Sequence, residues 1–124
     1  MNLVDSSGWL EYFSAGANAD FFTPAIEDTK NLIISTINLY EVFKKVLIEK
    51  DEDSALQVIA VMQQAKVKDI DSRISLFAAK LSYEHKLPMA DSLILATAKS
   101  NKATLWTQDS DFKTFSEVQY IEKV

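Results

Sequence analysis

The sequence predicts an α/β fold, three-layered α/β/α, with a mostly parallel sheet of four to five strands. Three observations carry this. Short apolar runs of strand length recur along the chain: Leu3-Val4, Leu32-Ile33-Ile34, Val67 to Ile70, Leu105-Trp106 and Val118 to Ile121. Longer segments between them repeat their apolar residues at helical spacing. Residues that cap or break helices stand at the borders, among them Ser6, Thr36, Asp51, Asp71 and Pro88. Strands that alternate with helices argue for a parallel sheet covered on both faces. The chain of 124 residues reads as one domain, residues 1–124, long enough for one core.

The elements follow in order. Leu3-Val4 is a buried first strand. Ser6 or Ser7 caps a helix with an apolar face of Trp9, Leu10 and Phe13, ending near Gly16. A short helix holds Phe21, Phe22 and Ile26, with Pro24 in its first turn, where a missing N–H costs least. Leu32-Ile33-Ile34 is a compact strand. Thr36 caps a long helix carrying Leu39, Val42, Phe43, Val46 and Leu47. Asp51-Glu52-Asp53 ends that helix and opens the next, because acids favour a helix N-terminus. Leu56, Ile59, Ala60, Met62 and Ala65 line the second arm of this helical hairpin. Val67 to Ile70 alternates like a strand, and Asp71 or Ser72 caps a helix reaching Glu84. Pro88 opens the helix through Ala98, Leu105-Trp106 is the fourth strand, Phe112 and Phe115 mark a short turn, and Val118 to Ile121 is the last strand.

Composition narrows the function. There is no cysteine, which removes disulfide scaffolds, thiolate metal sites and cysteine nucleophiles and fits a cytoplasmic protein. No basic n-region precedes an apolar stretch, so no signal peptide is expected. No apolar run approaches the roughly 20 residues of a membrane span, so no membrane partner is expected. Thirteen basic against eighteen acidic residues leave a net charge of −5. Nucleic acid is therefore not held by bulk positive charge. Lys44, Lys45 and Lys50 on one helix and Lys99 and Lys102 at the end of another can meet phosphates, or simply solvate helix faces.

The informative residues are acids at the borders of the apolar segments. Asp5 ends the first strand, Glu41 lies early in the long helix, Asp91 opens the helix after Pro88, and Asp109 follows the fourth strand. In parallel sheets, ligands bind outside the carboxyl ends of the strands, and one rim of such a sheet collects all four. Converging carboxylates repel one another, and burying them unpaired is costly. A divalent cation removes that repulsion, and hard oxygen ligands without Cys or His suit Mg²⁺ or Mn²⁺. Each acid also has a plainer role open to it: Asp5 as a helix cap, Asp91 as a complement to a helix dipole, Asp109 as the start of an Asx-turn, Glu41 as an exposed helix residue. His85, the only histidine, sits in a polar connector and reads as solvent-exposed.

Four ordered blocks resemble those of PIN-domain proteins: Leu3 to Ser7, Ile37 to Val42, Pro88 to Ala98 and Leu105 to Phe112. Size and element order are similar to the VapC-like ribonuclease toxins of type II toxin–antitoxin pairs. The resemblance covers essentially the whole chain. It implies a Mg²⁺- or Mn²⁺-dependent ribonuclease that cleaves RNA phosphodiester bonds. Its catalytic, metal-binding acids map to Asp5, Glu41, Asp91 and Asp109, with Asp111 a further candidate; Asp91 and Asp5 are the central ligands expected. The family's hydroxyl residues map to Ser6 and Thr107. Family members often carry Arg near Lys44 or Lys45, where Lys is a weaker fork for phosphate. The resemblance also implies a small antitoxin partner and a homodimer. Two other readings compete: a receiver-like phospho-accepting signalling domain, and an inactive PIN domain that only binds RNA or protein. The receiver needs an acidic pair after the first strand, where Asp5 is followed instead by Ser6-Ser7.

Overall fold

The computed structural model describes all residues 1–124. Five parallel strands, β1 (Asn2–Val4), β2 (Leu32–Ser35), β3 (Lys66–Lys68), β4 (Thr104–Thr107) and β5 (Val118–Tyr120), form one sheet in the order β3-β2-β1-β4-β5. Six helices connect or flank them: α1 (Ser6–Phe13), α2 (Ala19–Glu27), α3 (Thr36–Glu49), α4 (Glu52–Met62), α5 (Ser72–His85) and α6 (Met89–Ser100). No helix is long and apolar enough to cross a membrane.

The strand alternation divides the core. Successive side chains point to opposite faces. Leu3, Ile33 and Leu105 therefore pack with Leu81, Ile94, Leu95 and Phe112 under α5 and α6. Val4, Leu32 and Ile34 point the other way, to Trp9, Phe22, Val42 and Met62 under α1 to α4. Each fully buried Leu, Ile or Phe contributes about 1.5–3 kcal/mol. These two layers hold the sheet, and the sheet holds the strand ends where the acids sit.

The strand order decides one of the competing readings. Receiver-like doubly wound sheets run 2-1-3-4-5, with β3 beside β1. Here β3 is the edge strand beyond β2. An acid after β3 is thus two strands from Asp5, and Asp71 is engaged in capping α5, accepting from Ile74 N at 2.9 Å.

Several local expectations change. Asp5, not Ser6 or Ser7, caps α1, accepting from Ser6 N at 2.8 Å. The helix starts one residue earlier because β1 runs directly into it. Ser35, not Thr36, caps α3, and Asn38 completes a reciprocal capping box. Thr36 instead accepts from Ile70 N at 3.3 Å and ties the end of β3 to α3. Ile70 lies outside β3, which comprises Lys66–Lys68. Pro24 is in the interior of α2, not its first turn. It is exposed, so the carbonyl of Asp20, four residues back, is left without a helical donor on the solvent side, while Phe22, Ala25 and Ile26 anchor the helix.

Candidate metal centre

The strand order reverses between β1 and β4, and this switch point holds the site. Chain direction leaves β1 to one side for β2 and β3, then returns to its other side for β4 and β5. The segments that follow β1 and β4 both leave the sheet there, at its carboxyl edge. Asp5 directly follows one strand and Asp109 lies two residues beyond the other. The first turn of α6 brings Asp91 to them.

Carboxylate oxygens of Asp91, Asp109 and Asp111 lie within 4.8 Å of one another. Asp5 and Glu41 are outside that tight group, yet both add to the negative field at Asp91. The five acids thus share one end of the sheet, and Asp111 belongs to the most compact part. Two of the plainer roles hold as well. Asp5 caps α1, and Asp109 caps the short turn Ser110–Phe112, accepting from Asp111 N at 2.9 Å.

Asp5 is almost fully buried, with three donors around it: Ser6 N at 2.8 Å, Ser7 Oγ at 2.8 Å and Thr107 Oγ1 at 2.9 Å. Hydrogen bonds favour the anion and burial opposes it. Burial wins, helped by the Asp109 charge, and the Asp5 carboxyl is raised to about 6. Asp91 is raised further, to about 8, first by burial and then by Asp109, Asp5, Asp111 and Glu41. The chain's two ion pairs, Lys45–Glu49 and Lys99–Glu117, involve none of these acids.

Glu41 is half-buried and tied to the first loop: Ser6 Oγ donates to its Oε1 at 2.7 Å. Asn38 Nδ2 donates in turn to Ser6 Oγ at 2.9 Å. The roles of Asn38 and Ser7 are not apparent from the acid pattern. The signal for Asn38 was the Ser35-x-x-Asn38 spacing of a capping box. Gln108, also buried, braces the β4 loop by accepting from Asn18 Nδ2 at 2.9 Å and donating to Ser7 O at 3.3 Å.

Three of the lysines that could meet phosphates or solvate helix faces have partners of their own. Lys45 pairs with Glu49 at 2.9 Å, Lys99 pairs with Glu117, and Lys44 lies over the Tyr40 ring, 5.7 Å from its centre. His85 is exposed at the C-terminus of α5, edge-on to Phe115 with ring centres 5.0 Å apart.

A divalent cation fits this donor set. The oxygens are hard, they are gathered without a neutralising Lys or Arg, and their mutual repulsion is visible in the raised Asp91. A cation relieves a strain that the protein otherwise relieves by protonation.

The fold and the acidic cluster at the switch point place the chain among α/β proteins whose acids gather at the carboxyl edge of a parallel sheet. The family model described as PIN domain matches residues 3–118, and the chain belongs to that family. Solved structures share its fold. A toxin–antitoxin complex chain from Klebsiella pneumoniae is 22% identical, with a TM-score of 0.78 and 96% of each chain covered. VapC20 from Mycobacterium tuberculosis, described as a sarcin-ricin loop cleaving toxin, is 16% identical, with a TM-score of 0.78 over 95% of this chain and 98% of that one. VapBC2 from Rickettsia felis, bound to DNA from its promoter, gives 16% and 0.74 over 98% and 97%. No curated protein matches the sequence significantly.

Proposed function

We propose that this protein is a Mg²⁺- or Mn²⁺-dependent endoribonuclease and the toxin of a toxin–antitoxin pair. The observation that carries the reading is the convergence of Asp91, Asp109 and Asp111, with Asp5 and Glu41 adjoining, in a site without a paired cation. The fold shared with toxin chains supports it. Asp5, Glu41, Asp91 and Asp109 are the proposed catalytic acids, and Asp91, Asp109 and Asp111 the group best placed to hold the ion.

When bound, a divalent cation lowers the pKa of water and offsets charge developing on a phosphodiester. The chain's own residues do the rest. Asp91 holds a proton near neutral pH and must release it to act as an anionic ligand. Thr107 and Ser7 keep the Asp5 carboxylate oriented, and Ser6 does the same for Glu41.

A partner is proposed as well. A groove of about 580 Å³ between α1, α3 and α4 is lined by Leu10, Phe13, Val46, Val58 and Val61 and extends to Ser7, a donor to Asp5. An antitoxin tail with apolar residues in this groove and an Arg at its end would neutralise the acids, because Arg pairs bidentately with carboxylate. A homodimer is the assembly the resemblance implies; Leu76 and Tyr83 on α5, 73% and 87% exposed, offer apolar contact for it.

The test is cleavage and growth. Purified protein should cut RNA with Mg²⁺ or Mn²⁺ and stop with a chelator. Expression should slow cells, and Asp91→Asn should relieve this. Equal RNA cleavage by wild type and Asp91→Asn, or no cleavage by well-folded wild type with either ion, overturns the nuclease reading. Unslowed growth with intact cleavage overturns only the toxin role.

A further inference from the structure

The hydrogen bonds around Ser6 have a fixed direction, and the backbone sets it. Asn38 is fully buried at the start of α3. A backbone N–H only donates, and Ser35 N reaches one end of the Asn38 carboxamide at 2.9 Å. That end is therefore the oxygen, and the end facing Ser6 is the amino group. Asn38 Nδ2 donates to Ser6 Oγ at 2.9 Å. Ser6 has a single hydroxyl proton, and it points to Glu41 Oε1 at 2.7 Å. The run is Ser35 N–H to Asn38, Asn38 to Ser6, Ser6 to Glu41.

We propose that Asn38 is a positioning residue for the acidic site, acting on Glu41 through Ser6. Glu41 is a long, half-buried side chain whose charge acts on Asp91, and a flexible carboxylate of this length needs a fixed partner to hold one position. The Ser6 hydroxyl is that partner. Asn38 supplies the direction, because a Ser6 hydroxyl that accepts from Asn38 has only its proton left to offer. An acceptor at position 38 would claim that proton and leave Glu41 unheld. The proposal rests on the metal-site reading above.

The variant that separates direction from shape is Asn38→Asp. It is near-isosteric, keeps an oxygen for Ser35 N, and favours a helix N-terminus. It replaces the donor facing Ser6 by an acceptor. It also adds negative charge, which alone tightens cation binding, so weaker binding must come through geometry. Mn²⁺ affinity is measured by the loss of the free-ion paramagnetic resonance signal, and folding by circular dichroism. Asn38→Asp and Ser6→Ala should each weaken Mn²⁺ binding about tenfold, the low end for residues that orient metal ligands. The double variant should be no weaker than either single, because both break one connection. Wild-type affinity in either folded single variant, or additive losses in the double, overturns the proposal. Should Asn38→Asp fail to fold, wild-type affinity in Ser6→Ala still overturns it. If wild type itself binds no Mn²⁺, the metal reading falls first and the positioning role falls with it.

Discussion

Thr107 donates its hydroxyl proton to Asp5 Oδ2 at 2.9 Å while accepting from Asp109 N at 2.9 Å. One side chain on β4 thus links the acid that ends β1 to the backbone of the acid that follows β4. The arrangement fixes Asp5 beside the start of the turn that carries Asp109.

Replacing Thr107 by Val keeps the shape and removes both bonds. The buried Asp5 loses a donor and Asp109 N loses its acceptor. A loss of about 1–3 kcal/mol is expected, the cost of leaving a buried polar group unsatisfied. Thr107→Ser should retain most of it. Urea unfolding checks this, and equal midpoints for Val and Ser variants would contradict it.

Without divalent cations, stability should fall as pH rises. Asp91 titrates near 3.8 when unfolded and about 8 when folded. Between these values the folded form holds a proton that the unfolded form has released. Protons bound in the unfolded state are then fewer, so the slope of stability against pH is negative. Asp5 adds the same sign between 3.8 and about 6. Unfolding midpoints in chelator from about pH 5 to 8 should decline, and Asp91→Asn should flatten the decline. A wild-type slope in Asp91→Asn would place the proton elsewhere.

Mg²⁺ or Mn²⁺ should raise the melting temperature. An ion that binds only the folded state stabilises it by about 2.7 kcal/mol at a hundred times its dissociation constant. The Asp5→Asn/Asp91→Asn double variant should be more stable in chelator than wild type at neutral pH and lose most of the cation response. Equal shifts in the two proteins would mean that the ions bind outside this site.

Gly8 should not tolerate a side chain. A Cβ there would lie 2.6 Å from the Phe22 ring and 2.7 Å from Val4 Cγ1, both fully buried. Gly8→Ala is expected to cost about 1–3 kcal/mol by overpacking. An unchanged unfolding midpoint would show that α1 can lift from α2 and β1 freely.

The alternation of strands and helices was legible because two periods, near 2 and near 3.6, mark the chain clearly. Asp5, Glu41, Asp91 and Asp109 stand out in the sequence for a related reason: each interrupts or borders an apolar run, whereas the place of Asp111 in the compact group depends on the turn after β4. Caps were harder. Asp5, Ser6 and Ser7 all have cap chemistry, and only the junction with β1 selects Asp5. Pro24 misled because local preference puts proline in a first turn, whereas burial of Phe22 and Ile26 extends α2 around it. Asn38 was hidden because its partner Ser6 is 32 positions away. Contacts of that range depend on the sheet order, which no local pattern records.

The sheet order has a consequence for synthesis. β1 occupies the centre, yet it is made first, and one of its neighbours, β4, starts at Thr104. During translation the middle of the sheet waits with one side open until β4 leaves the ribosome. Asp109 emerges in the same stretch. A nascent chain at that stage therefore carries Asp5, Glu41 and Asp91 without Asp109 and Asp111. The centre of the sheet closes only once β4 has emerged, so the growing polypeptide stays close to its own messenger and ribosome before its acids are gathered.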